Sequence, residues 1–219
     1  MTAVILAGGK GRRIGKNKLF LKWGQRTLIA HAVASLAPLF SDMLIVASQE
    51  NFVALMELFP SYPRIVLDII ENKGPMGGIH AGLVSARSFA AFVTGCDMPL
   101  LSTKLISFLK GLGEGYDAVV PQTPKGLEPL HSIYTKNCLP VIEDRLHECD
   151  LKPKSLFPRL KVRYVRPEEM LPFDPELLSF TNINSLKDYR DLASRFAPRD
   201  FRACSARASS PADIEKYRC

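Results

Sequence analysis

No stretch of this sequence has the roughly 18 consecutive apolar residues that a membrane-spanning helix needs. It enters a strand pattern at once, without the basic segment and short apolar core of a secretory signal. A soluble, cytoplasmic protein with no membrane partner is expected. Cysteine is sparse: the five residues Cys96, Cys138, Cys149, Cys204 and Cys219 include no C-x-x-C pair. That argues against a zinc site or a thioredoxin-like motif and fits reduced thiols. His31, His80, His131 and His147 show no metal-ligand spacing, and no Ser/His/Asp set suggests nucleophilic catalysis. Internal repeats and long linkers are missing. So are the Lys/Arg-rich blocks and base-stacking aromatic motifs of nucleic-acid binders. The net charge of +7 therefore suits small polyanions better than nucleic acid.

What remains is an ordinary globular composition, 47% hydrophobic over 219 residues, long enough to bury a sizeable core. Apolar runs at residues 4–7, 43–47, 65–67, 91–94 and 118–121 read as buried strands. Between them lie helical patterns at residues 28–36, capped by Thr27, at 52–58, at 79–87, and around Leu105 and Leu109 after Ser102. This alternation predicts βαβ units, a mainly parallel sheet and helices on both faces. Beyond residue 121 the pattern loosens. Strands are expected at 132–134 and 161–165, a helix at 141–149, and a last helix capped by Ser185 and running to about Phe196. We expect one domain over residues 1–196. Residues 197–219, rich in Ala, Ser, Arg and Pro, are expected to form a flexible tail.

In open sheets of this kind ligands bind outside the carboxyl ends of the strands. The first strand ends in Leu6-Ala7-Gly8-Gly9-Lys10-Gly11-Arg12-Arg13-Ile14-Gly15-Lys16-Asn17-Lys18. Clustered backbone N–H groups in a glycine-rich loop make an anion-binding concavity, and the basic residues around this one suit a polyphosphate. The loop is neither a dinucleotide fingerprint, whose last glycine is missing, nor a P-loop, whose Gly-Lys-Ser/Thr is missing. The third and fourth strands deliver Asp68 and Asp97 to the same edge. Asp97 is the candidate ligand for Mg²⁺, which is held by one or two carboxylates plus phosphate oxygens. Arg13 and Lys18 are candidates for contacting the phosphates. Asp68 and the glycine-rich stretch at 74–78, taken as a second loop, are candidates for base or ribose contacts. A carboxylate can accept two hydrogen bonds from the N1–H and N2–H edge of guanine. Asp68 could equally bind ribose or a second metal.

The spacing Leu-Ala-Gly-Gly-x-Gly-x-Arg-x-Gly-x-x-Lys over Leu6 to Lys18 resembles the signature of the sugar-nucleotidyltransferase-like family. Within it, the chain most resembles molybdenum cofactor guanylyltransferases of the MobA family. The supporting residues are Arg12-Arg13, Asp68, Gly74-Pro75-Met76-Gly77-Gly78, Cys96-Asp97-Met98-Pro99 and Phe180-Thr181-Asn182-Ile183-Asn184. The resemblance implies a Rossmann-like three-layer α/β sandwich. It also implies transfer of GMP from GTP to the terminal phosphate of molybdopterin carrying molybdenum, with Mg²⁺ and release of pyrophosphate. By that likeness Arg13, Lys18 and Asp97 would be catalytic. Leu6, Ala7, Gly8, Gly9, Lys18, Asp68, Gly77 and Asp97 would contact GTP, and Asp97 would also hold the metal. His131, Asn182 and Asn184 would lie on the pterin side. The likeness leaves room for transient contact with other cofactor-biosynthesis proteins. Some family members carry Asn at the end of the second strand, where this chain has Ala47. The alternatives are a transferase of other specificity, cytidylyl or sugar-phosphate, and a non-catalytic nucleotide-binding domain.

Overall fold

The computed structural model describes residues 1–8, 17–70 and 73–196. At its centre is β1 (Thr2–Ala7), buried at all six positions. A strand covered on both faces reads as a continuous apolar run, which is why Val4-Ile5-Leu6-Ala7 shows no alternation. A short 3₁₀ turn (Lys18–Phe20) and the hairpin β2 (Lys22–Trp23) and β3 (Arg26–Thr27) lead into α1 (Leu28–Leu36), where the Thr27 hydroxyl accepts from Ala30 N–H at 3.3 Å. Then come β4 (Asp42–Ala47), α2 (Gln49–Leu58), β5 (Arg64–Leu67), α3 (Gly74–Ser85), β6 (Ala90–Gly95), α4 (Thr103–Gly111), β7 (Ala118–Thr123) and β8 (Gly126–Leu127). The chain closes with β9 (His131–Thr135), α5 (Leu139–His147), β10 (Val162–Val165), the short α6 (Pro167–Met170) and α7 (Leu186–Phe196).

The main sheet runs β10-β7-β9-β6-β1-β4-β5, with β8 paired to β7. Its strands are parallel except the short β8, antiparallel to β7, and β9, which pairs antiparallel with both β6 and β7. Ala3, Ile5 and Ala7 face one core with Ile29, Ala32 and Leu36 of α1, Leu55 of α2 and Leu105, Ile106 and Leu109 of α4. Val4 and Leu6 face the other, with Met76, Ile79 and Leu83 of α3 and Ile142 and Leu146 of α5. These are the three layers expected, with the period of two in β1 dividing its side chains between two cores. A third cluster joins Leu21, Trp23 and Leu28 to Ile183, Tyr189 and Leu192, and the Tyr189 hydroxyl donates to Lys22 O at 2.7 Å. It fastens α7 to the hairpin near the chain's start. No helix among the described residues is long and apolar enough to cross a membrane.

The expected second glycine-rich loop is instead the first turn of α3, which begins at Gly74 rather than near residue 79. Pro75 sits in that first turn, where its missing N–H costs nothing and its fixed φ suits the helix. The glycines serve packing. A Cβ on Gly82 would lie 2.5 Å from Val4 Cγ1, and one on Gly78 3.1 Å from Leu6 Cδ2. Intrinsic propensity disfavours glycine in a helix by about 1 kcal/mol, and close contact with β1 overrides it. The helix α2 likewise starts three residues earlier than the apolar pattern suggested. Residues 197–219, expected as a tail, lie outside the described residues.

The sign of one substitution separates packing from propensity. Gly82→Ala should destabilise the protein by roughly 1–3 kcal/mol through overpacking, although propensity alone would favour alanine. Urea unfolding checks this, and adding Val4→Ala should restore part of the loss.

Candidate functional site

A cleft of ≈ 730 Å³ opens along the carboxyl edge of the sheet. That volume is within the range of small-molecule sites. Leu6 and Gly8 line it from the end of β1, Asp68 from the end of β5, and Gly95, Cys96 and Asp97 from the end of β6. Ser48, Gln49 and Glu50 enter from the start of α2, and Gly74, Pro75 and Gly78 from the start of α3. Lys18 and Leu130 complete the wall. The parallel order β6-β1-β4-β5 brings these strand ends side by side.

Lys18 and Asp97 meet across the cleft. Lys18 Nζ donates to Asp97 Oδ2 at 2.5 Å, and their side chains are 22% and 18% exposed. The carboxylate folds back over the end of β6, where a Cβ on Gly95 would lie 2.4 Å from Asp97 Oδ1. With a Cβ there the carboxylate would have to shift. The pair places a mobile cation and an anion at one point, and each could exchange its partner for a ligand's phosphate or metal. Beside them, burial pushes the Cys96 thiol far up, so it is a neutral core group and no nucleophile. Asp68 donates its backbone N–H to Ala47 O at 2.8 Å and accepts from Ile70 N–H at 3.3 Å. Its Oδ1 lies above Gly77, where a Cβ would come within 3.1 Å.

The expected site residues divide as follows. Leu6, Gly8, Lys18, Asp68 and Asp97 line the cleft. Ala7 is buried beneath it. Gly77 faces Asp68 from inside α3, and its N–H is directed at Lys73 O, 3.4 Å away. Gly9 and Arg13 lie outside the described residues. Ile183 N–H donates to Asp97 O at 2.9 Å, which draws Asn182 and Asn184 toward the same edge. Asp188 accepts from the N–H groups of Asn184 and Ser185 at 2.9 and 2.8 Å, while its own N–H donates to Ser185 Oγ, a cap that fixes where α7 begins.

His131 is a correction. It is fully buried, its ring edge-on to Phe92 at 5.1 Å and to Phe180 at 4.9 Å between centroids. Among the described residues neither ring nitrogen has a hydrogen-bond partner. Burial pushes its pKa down to about 3, with Asp174 acting weakly the other way. In a strand that alternates, the residue after cleft-lining Leu130 turns to the opposite face.

Asn51 went unnoticed in the sequence. It is 3% exposed, in the first turn of α2. Its Nδ2 donates to Ala7 O at 3.1 Å, and its Oδ1 accepts from Asn17 Nδ2. It therefore ties together the two ends of the glycine-rich segment, just before Gly8 and just before Lys18. The available signal was a polar residue four positions before Leu55, on the face that α2 buries.

Among the described residues no group of three or more His, Cys, Asp or Glu could hold a metal. A hard cation at Asp97 would complete its shell with ligand oxygens and water, which suits Mg²⁺ bound together with phosphates and not a preformed metal cage.

Comparison with known proteins follows the same lines. Residues 3–162 match the model of the MobA-like NTP transferase domain. A molybdenum cofactor guanylyltransferase from Desulfosudis oleivorans is 35% identical over 86% of this chain and 92% of its own length. A probable molybdenum cofactor guanylyltransferase from Carboxydothermus hydrogenoformans is 34% identical over 91% and 98%. The crystal structure of molybdopterin-guanine dinucleotide biosynthesis protein A from Archaeoglobus fulgidus superposes with a TM-score of 0.77 at 28% identity, covering 89% of this chain and 97% of that one.

Two outcomes test the site's framework. Asn51→Ala should cost about 1–3 kcal/mol for the buried groups it strands and weaken nucleotide binding more than a distant variant of equal stability does, read by unfolding and calorimetry. His131 is charged in the unfolded chain below its ordinary pKa of 6.5 but stays neutral in the folded protein down to about 3. Its contribution to stability therefore falls as pH drops through that window, by up to about 1.4 kcal/mol per pH unit. His131→Phe should flatten the stability profile between pH 6 and 4, measured by urea unfolding.

Proposed function

Because the chain belongs to the family of MobA-like NTP transferases, we propose that it transfers GMP from GTP to the terminal phosphate of molybdopterin carrying molybdenum, releasing pyrophosphate. The carrying observation is the Lys18–Asp97 pair at the meeting point of β1 and β6, inside a cleft that also holds Asp68. The names borne by the relatives support the guanine and molybdenum assignments.

The acceptor's phosphate oxygen forms a new bond to the α-phosphorus of GTP. The bond between that phosphorus and the bridging oxygen to the β-phosphorus breaks, and its electrons leave on pyrophosphate. No side-chain nucleophile takes part, in keeping with the buried neutral thiol of Cys96. Lys18 releases Asp97 and places its ammonium against the phosphates, where negative charge develops. Asp97 would hold Mg²⁺. That ion, when bound, supplies Lewis-acid polarisation of the phosphoryl oxygens. Asp68 accepts the N1–H and N2–H hydrogens of guanine, an edge cytosine does not offer. Leu6, Gly8 and the glycine loop with Gly9 and Arg13 cradle the nucleotide, while Asn182 and Asn184 border the acceptor. This reading takes residues 1–196 as one transferase domain working in the cytoplasm.

Calorimetric titration with GTP, CTP, ATP and UTP in the presence of Mg²⁺ tests it. GTP should bind tightest, and Asp68→Ala should erase the preference. Preference for CTP would overturn the assignment of Asp68. Lys18→Met and Asp97→Asn should each lower the rate of GMP transfer by about 10²-fold or more, with the fold retained by circular dichroism.

A further inference from the structure

The stretch Glu128-Pro129-Leu130-His131 sends consecutive residues to different places. His131 enters the core, Leu130 lines the cleft, and Glu128 lies half-buried where β7 ends and β9 begins. Its N–H donates to Pro121 O at 3.0 Å, and its carbonyl accepts from His131 N–H at 3.1 Å. It therefore lies on the sheet edge that carries Asp97, on the side away from Asp68. The ring of Phe180, packed on His131, leads directly into the segment that hydrogen-bonds to Asp97.

The backbone pairing of Thr123 with Gly126 and of Gln122 with Leu127 closes the β7–β8 turn, and the Thr123 hydroxyl accepts from Lys125 N–H at 3.1 Å. Thr123 also donates to Glu128 Oε1 at 2.9 Å. Among the described residues no group is hydrogen-bonded to the second oxygen, and no cation forms an ion pair with the carboxylate. Burial raises the carboxyl's pKa, while Thr123 and the nearby charges of Lys154 and Lys125 oppose the rise. The result is a partly dehydrated acid with acceptor capacity to spare, flanked by two lysines.

We propose that Glu128 reads the pterin end of the acceptor, its carboxylate accepting the 2-amino and N3–H hydrogens of the 2-amino-4-oxopyrimidine ring, with Lys125 and Lys154 balancing the acceptor's negative charge. This inference rests on the acceptor assigned under Proposed function. The ring's two N–H groups are coplanar and adjacent, as the two carboxylate oxygens are. The same donor edge occurs in guanine, so one carboxylate would serve each heterocycle, Asp68 within the cleft and Glu128 beyond cleft-lining Leu130 on the same sheet edge.

Glu128→Gln is nearly isosteric and can keep the Thr123 bond, but replaces one acceptor by a donor that opposes the ring's amino group. The experiment reads the acceptor KM in GMP transfer, the GTP Kd by calorimetry and the melting temperature. The acceptor KM should rise about tenfold or more, as expected for a lost charged hydrogen bond, with the GTP Kd within twofold of wild type. Lys154→Met should raise the acceptor KM about threefold with the GTP Kd again unchanged. An unchanged acceptor KM with intact GTP binding overturns the role of Glu128 and leaves guanylyl transfer standing. A parallel rise in the GTP Kd also overturns it, by moving the residue to the nucleotide end. Wild-type protein that binds no GTP or transfers no GMP removes the parent reading, and this one with it.

Discussion

Gly78 and Gly82 let α3 lie on β1 closer than any side chain would permit, with Leu6 and Val4 filling the space where their Cβ atoms would be. The cleft depends on that contact. It brings the first turn of α3 to the strand ends, sets Gly74, Pro75 and Gly78 along the wall, and leaves room above Gly77 for the carboxylate of Asp68. A bulkier helix face would stand further from the sheet and open the cleft on this side. Gly78, expected from the sequence in a loop touching base or ribose, therefore acts first as a packing residue, as does Gly82. Their effect on the ligand comes through the position of the helix.

The polar groups around the cleft are arranged with the same economy. Lys18 and Asp97 neutralise each other at the edge. Beside them the Cys96 thiol adds no charge, since burial keeps it protonated. A neutral floor leaves the field in the cleft to the few charges on its rim. Asn51 belongs to this floor. Its amide satisfies Ala7 O and Asn17 together, so the ends of the basic glycine-rich segment are held by hydrogen bonds that add no charge.

The two halves of the sheet have different tasks. β1, β4 and β5, all parallel, present Gly8, the start of α2 and Asp68 to the cleft. Beyond β6 the antiparallel β9 is inserted, and it starts at the edge where its parallel neighbours finish. That reversal places the turn at Glu128 and Leu130 level with Asp97. The third hydrophobic cluster folds the C-terminal helix back onto the hairpin near Lys18, which brings Asn182 and Asn184 to the same border. An acceptor lying along β9 and a nucleotide lying along β4 and β5 would thus meet at Asp97.

Much of this was written locally. The apolar run into Gly8-Gly9, the carboxylates Asp68 and Asp97 just past apolar strands, and the caps at Thr27, Ser102 and Ser185 each depend on a few neighbouring residues. In a parallel sheet such strand ends share one edge, so the family, the three layers and the edge on which the cleft opens followed from the chain alone. The tertiary structure decided the rest, because it turned on what each residue faces across the fold. It made Gly74 the start of a helix through contact with β1 and sent His131 into an aromatic core while Leu130 faced the cleft. It also recruited Asn51 to bridge two segments distant in sequence and set β9 antiparallel between parallel strands. Local pattern encodes which residues can end a strand or cap a helix, whereas close approach and orientation arise only when the layers pack.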